Sequence, residues 1–180
     1  MNSKPASLTT QRDGKQRIVS SSHLVSEKSP ELSEFEFGMI IATHAFERWM
    51  VRCMGAAGAK DMAPVDVLVL HHIHHRNVEK RLADICFVLN IEDTHIVSYS
   101  VKKLMGMKLV SSTKRGKEVF LKTTEEGANL CNRYRDVREA CLLPGFSGRE
   151  EENRQLGEFA RLLRTLSGRY DQAARAASSY

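Results

Sequence analysis

Seven cations stand between Lys102 and Lys122 (Lys102, Lys103, Lys108, Lys114, Arg115, Lys117 and Lys122) against one carboxylate, Glu118. That segment carries +6, while the whole chain of 180 residues carries +5. The rest of the chain is therefore close to neutral, and the excess sits in one place. Ahead of the cations lie Thr94, His95, Ser98 and Tyr99, spaced so that His95, Ser98, Tyr99 and Lys102 share one side of a helix. Short hydrogen-bonding groups, an aromatic ring and cations on one face suit recognition of a polyanion whose edges present donors, acceptors and methyl groups. No carboxylate interrupts that face between His95 and Lys103. An ordinary solvated helix face carries Glu, Lys and Gln instead. The candidate contact residues are Thr94, His95, Ser98, Tyr99, Lys102, Lys103, Lys114, Arg115 and Lys117.

Other chemistry-bearing groups do not assemble into a known constellation. His71, His72, His74 and His75 cluster, and His71 and His75 fall four apart on one helical face. Two histidines do not complete a zinc site, and no cysteine or carboxylate sits at a supporting offset, so no metal or other cofactor is expected. Cys53, Cys86, Cys131 and Cys141 are spaced by 33, 45 and 10 residues, without a CxxC pair. All four fall on or near apolar stripes, where thiols are inert. The chain lacks a Gly-rich phosphate loop, a Gly-x-Ser-x-Gly elbow and a His-Glu-x-x-His helix. No catalytic residue is assigned, and a non-enzyme is expected.

The elements that must position these groups follow from periodicity. Residues 1–30 are polar and rich in Ser, Thr and cations, which predicts a flexible tail. Pro30 precedes a long amphipathic helix with Ser33 and Glu36 as a capping box. Its apolar line runs through Phe35, Met39, Ala42, Phe46, Trp49, Met50 and Cys53, and a second line through Phe37, Ile40, Ile41 and Ala45 widens it. That width suits contact with two surfaces. A second helix begins near Pro64, with Val65, Leu68, Val69, His72 and Ile73 as its inner face. Leu82, Ala83, Ile85 and Cys86 mark a short third helix. Val97, Ser100, Val101 and Leu104 mark the inner side of a fourth, started by Glu92-Asp93-Thr94 and ended by Gly106. Leu109-Val110 opens a strand, Lys114-Arg115-Gly116-Lys117 makes a turn, and Val119, Leu121 and Thr123 alternate on the return strand. Thr123 and Thr124 then precede a helix with Gly127, Leu130, Cys131, Tyr134, Val137 and Cys141 on one face. Leu156, Phe159, Ala160, Leu163, Leu166, Tyr170 and Ala173 stripe a last one. The expected fold is mainly α with a small β-hairpin wing. A winged helix-turn-helix at 61–124 stands between dimerisation helices at 31–60 and 125–180.

With these pieces in place the chain resembles the MarR (multiple-antibiotic-resistance regulator) family of winged-helix transcription factors. RLADICFVL, THIVSYSVKKL, GMKLV and LKTTEEG carry the resemblance, together with the order of elements over residues 33–176. It implies a homodimer that binds pseudo-palindromic double-stranded DNA and often answers to a small ligand. Two departures stand out. Family wings commonly carry an Asp-Arg pair near the tip, where this chain reads Thr113-Lys-Arg-Gly-Lys117. Tyr99 stands where many members have arginine.

A pocket for a small-molecule effector, between the first helix and the helix-turn-helix motif, is open at Thr43, His44, Phe46, Glu47 and Trp49, because ligand clefts are apolar with a few polar groups. Phe46 and Trp49 suit a plain core role equally well. A protein-interaction module on the same fold, or a redox- or metal-responsive sensor, are the competing readings. No apolar run approaches the roughly 20 residues of a membrane span, and the N-terminus is not a secretory signal, so a cytoplasmic protein without a membrane partner is expected.

Overall fold

A computed structural model of the chain describes residues 22–180. Most of the expected N-terminal tail, residues 1–21, lies outside the described residues. The remainder forms a turn closed by the Ser29 N–H donating to the Ser26 carbonyl at 3.2 Å. The elements follow as α1 (Glu31–Ala56), α2 (Pro64–His74), α3 (Leu82–Leu89), α4 (Thr94–Gly106), β1 (Val110–Arg115), β2 (Glu118–Thr123), α5 (Glu125–Cys141) and α6 (Glu150–Ala177). The expected mostly helical fold with one antiparallel hairpin is the observed one.

Helix α1 starts earlier than the Ser33–Glu36 capping box predicts. Pro30 already has helical dihedrals as the cap residue, and Glu31 and Glu34 supply the negative charge that a helix N-terminus favours. Ser33 therefore enters within the first turn, buried at 2% exposure with its hydroxyl unpartnered among the described residues. Glu36 is left to accept a hydrogen bond from the Tyr170 hydroxyl of α6 at 2.9 Å. Only the C-terminal third of α1 joins the core, through Met50, Cys53 and Met54. Ile40, Ile41 and Phe46 remain exposed on the rest of it.

The core gathers Val67, Val69, Leu70 and Ile73 of α2, Ile85 and Cys86 of α3, and Val97, Val101 and Leu104 of α4. Leu109, Val110 and Leu121 close it under the hairpin, and Leu130, Cys131 and Tyr134 close it from α5. All four expected inner residues of α4 are buried, Ser100 among them. On α2 the expected face was too narrow. This helix packs on α1, α4, α5 and β2 together, so Val67 and Leu70 are as deeply placed as Val69 and Ile73. His71, rather than His72, turns inward and meets the Tyr134 ring edge-on, with centroids 4.5 Å apart. Ala83 of α3, also expected inside, is exposed.

Helix α6 is strongly two-faced but has no buried residue. Leu156, Phe159 and Leu162 are exposed, and its ties to the rest include the tilted Phe35–Phe159 ring contact, with centroids 6.3 Å apart. Cys141, expected on an apolar stripe, is exposed at the end of α5, while Cys53, Cys86 and Cys131 are buried.

Candidate nucleic-acid interface

Asp93 caps α4, its carboxylate accepting the His95 N–H at 2.8 Å, so the helix begins firmly at Thr94. With Val97, Ser100, Val101 and Leu104 turned inward, Thr94, His95, Tyr99 and Lys102 are exposed, Tyr99 at 74%. Ser98 is half-buried at the margin of that face. Ile96 adds an exposed apolar group, and Phe87 and Val88 of α3 are exposed as well.

Lys103 does not belong with them. Its Nζ donates to Asp66 Oδ2 at 2.7 Å and to the Asp61 carbonyl at 2.5 Å. The same Asp66 oxygen accepts the Ala63 N–H at 2.8 Å, and its side chain is only 3% exposed. Lys103 thus ties α4 to the start of α2, whereas the sequence reading set it beside Lys102. Asp66 escaped that reading. Its signal was there, since an acid at the third position after a Pro-started helix is a capping pattern.

Beyond α4 the chain turns through Lys108 (φ 60°) into the hairpin. Pairing runs from Val110 opposite Thr123 to Arg115 opposite Glu118, leaving Gly116 and Lys117 as a two-residue loop. Gly116 takes φ 62°, the left-handed region that such loops require. Lys114 and Lys117 are exposed and carry no ion pair among the described residues. Arg115 does carry one. Its two terminal nitrogens each lie 2.9 Å from a Glu79 oxygen, and its guanidinium carbon stands 5.0 Å from the centre of the Phe120 ring. Nearby, Arg81 donates to Asp84 and to Glu118, both at 3.0 Å. These hydrogen bonds raise the Arg81 pKa, and the arginine in turn holds the Asp84 carboxyl below its usual range.

The residues suggested for a ligand do not converge. Thr43 and Phe46 line an apolar cavity of about 450 Å³ between α1 and α6, with Phe35, Met39, Phe159 and Leu163. His44 and Glu47 face a separate depression with Arg48, Val51 and Pro64. Trp49 packs against the core. One helix cannot turn positions 43, 44, 46, 47 and 49 toward one space, and α6, not the helix-turn-helix, supplies the second wall.

The histidines divide as well. His74 Nδ1 lies 3.3 Å from Thr123 Oγ1, and His75 is exposed at the end of α2. Burial, with a smaller contribution from His74, lowers the His71 pKa from the ordinary 6.5, and burial also lowers that of His72. Above pH 6.5 both folded and unfolded chains hold His71 neutral. Below it the unfolded chain binds a proton that the folded chain resists, so stability falls with pH until the folded value is passed. Thermal melting between about pH 8 and pH 5 should show this decline, flattened though not abolished in His71→Phe, since His72 shifts the same way. A parallel decline in that variant would contradict the assignment. Burial likewise pushes the Cys131 thiol to about 11 and raises that of Cys53, which keeps both protonated. Among the described residues no three potential ligands gather around a metal site, and no helix is long and apolar enough to cross a membrane.

A capped helix presenting a carboxylate-free polar face, followed by a basic two-stranded hairpin, defines a winged helix-turn-helix. Residues 62–127 match the family model described as a winged helix DNA-binding domain. The fold over about three quarters of the chain is similar to that of solved AbfR and MarR structures. AbfR of Staphylococcus epidermidis superposes with a TM-score of 0.63 at 14% identity, over 79% of this chain and 97% of that one. Reduced AbfR bound to DNA gives 0.63 at 16% identity, over 78% and 97%. A mutant MarR from E. coli complexed with operator DNA gives 0.62 at 14%, over 77% and 99%. No curated protein matches the chain. The sequence resemblance to MarR-family regulators thus extends to the fold.

Proposed function

We propose that the chain is a sequence-specific DNA-binding transcriptional regulator acting as a homodimer on a pseudo-palindromic site. The observation that carries this reading is the exposed face of α4, where Thr94, His95, Tyr99 and Lys102 stand clear without a carboxylate among them. Such a face fits the major groove, where sequence is read from base edges. Lys102, Lys114, Arg115 and Lys117 supply phosphate contacts, which position but do not specify. That proteins of this fold, AbfR and MarR, have been solved with DNA supports the same docking.

Homodimerisation is favoured by the apolar groups that one chain leaves uncovered on α1 and α6 (Ile40, Ile41, Phe46, Leu156, Phe159 and Leu162). A second copy is the economical cover, and two-fold symmetry then presents two α4 helices to successive turns of a duplex. Regulation by a small-molecule effector is favoured by the cavity at Thr43 and Phe46, which lies against α6 and so within the proposed dimer region. The reading needs no catalytic group and no cofactor, and it places the protein with the chromosome in the cytoplasm.

Light scattering tests the assembly: a particle of about twice the chain mass of 20.3 kDa is expected. Phe159→Glu should shift it to monomer. Titration with a duplex should show affinity falling by about 10³ or more between 50 and 200 mM salt if six to ten phosphates are met per dimer. Salt-insensitive binding, or a monomer that binds as well as the dimer, would contradict the proposal.

A further inference from the structure

The short segment between α2 and α3 grips the wing. Lys80 exchanges two backbone hydrogen bonds with Leu121, its N–H donating at 2.9 Å and its carbonyl accepting at 2.8 Å. β2 therefore lies between β1 on one side and Lys80 on the other. The neighbours of Lys80 take hold of the last ladder pair before the turn, Arg115 opposite Glu118. Glu79 receives both terminal nitrogens of Arg115 at 2.9 Å, and Arg81 donates to Glu118 at 3.0 Å. The segment is itself fixed, since the Lys80 ammonium donates to the Val78 carbonyl at 2.9 Å and the His75 carbonyl at 3.1 Å.

Arg115 belongs to β1, the strand farther from Glu79, so its side chain must cross β2 to reach that carboxylate. It does so over Phe120. Strand alternation puts Arg115, Glu118 and Phe120 on the face opposite Val110 and Leu121, which are buried in the core. The guanidinium is thus laid along the outer face of the wing rather than left to swing from the tip. A guanidinium has five N–H donors in a fixed plane. One Nη2 N–H donates to Glu79 Oε1, Nη1 stands 2.9 Å from Oε2, and the Arg115 side chain, still 57% exposed, has donors to spare.

We infer that Glu79 is a positioning residue of the DNA interface, holding Arg115 so that its remaining donors meet a phosphate in one orientation. This rests on the DNA-binding reading above. The wing's own acid, Glu118, stands opposite Arg115 in the ladder but accepts from Arg81, and the sequence neighbours Lys114 and Gly116 are a cation and a glycine. Glu79, distant in sequence, takes that place. A bidentate carboxylate partner and an aromatic ring restrict an otherwise mobile arginine before the duplex arrives.

The test is a set of four proteins: wild type, Glu79→Ala, Arg115→Ala and the double variant. Each is titrated with a duplex enriched by the wild type at several salt concentrations, and each is melted. Glu79→Ala should weaken binding about three- to tenfold, the range expected when a side chain must be immobilised on binding. Arg115→Ala should weaken it at least as much, and the double variant no more than Arg115→Ala. The slope of log affinity against log salt should flatten by about one in Arg115→Ala, which loses a cation, and by less in Glu79→Ala, which keeps it. Melting temperatures within a few degrees of wild type would separate this from a disordered wing, and Glu79→Asp should recover part of the affinity. Wild-type or tighter binding by Glu79→Ala would overturn the inference, as would losses that add in the double variant. Were the wild type to bind no duplex, the DNA-binding reading would fall first and the positioning role with it.

Discussion

Replacing Gly127 with alanine should lower the melting temperature by about 10 °C, following from a cost of about 3 kcal/mol or more for an overpacked site. A methyl group at Gly127 would stand 2.0 Å from the Leu109 carbonyl oxygen and 3.0 Å from its carbon. Both are backbone atoms, so no side-chain rotation relieves the clash. The carbonyl cannot easily retreat either, because it accepts the Thr124 N–H at 3.0 Å. The Thr124 hydroxyl meanwhile accepts the Gly127 N–H at 3.1 Å and donates to the Lys108 carbonyl at 2.7 Å. The first turn of α5 is therefore seated on the chain leaving α4, and only a residue without Cβ allows it. Thermal melting of Gly127→Ala checks this directly. Gly38→Ala, at a position with open space, is the control that should stay near wild type. Equal melting of the two variants would refute the seat.

Lys103→Ala should cost about 3 kcal/mol, near the low end for stranding one member of a buried ion pair because Lys103 is itself partly exposed. What remains is a carboxylate at 3% exposure that keeps the Ala63 N–H but loses its cation. Lys102→Ala, one residue earlier and on the exposed face, should leave stability within about 0.5 kcal/mol of wild type while weakening DNA binding. Denaturant unfolding and duplex titration of both variants read the two roles separately. If Lys102→Ala unfolds the protein and Lys103→Ala only weakens binding, the assignment of the two lysines is reversed.

That pair of neighbours marks how far the sequence could be read. Helical periodicity separates Val97, Ser100, Val101 and Leu104 from His95, Tyr99 and Lys102, because a 100° step puts them on opposite sides whatever the surroundings. Position 103 falls between the faces, and only the packing of α2 on α4, with Asp66 beside it, decides where its ammonium goes. The hairpin was legible for a similar local reason. Gly116 between cations, followed by alternating Val119 and Leu121, specifies a turn and a strand from neighbours alone. Glu79 was not legible, since nothing within a few residues links it to Arg115, 36 positions away. The start of α1 after Pro30 was legible, but its cap was not, because Ser33 and Glu36 form a credible box while Pro30 already sets helical dihedrals ahead of them. The scattered fate of Thr43, His44, Phe46, Glu47 and Trp49 has a simple cause. They were chosen by type and closeness in sequence, and one helix spreads such neighbours around its circumference.

The exposed face of α4 and the basic hairpin are proposed to read duplex DNA as a symmetric pair. Selection from a pool of random duplexes by the protein, with the enriched sequence then titrated against salt, tests it most directly. The expected result is an inverted repeat whose half-sites lie about one helical turn apart, bound with steep salt dependence. Recovery of no sequence, with no salt-sensitive binding to any duplex, would contradict it.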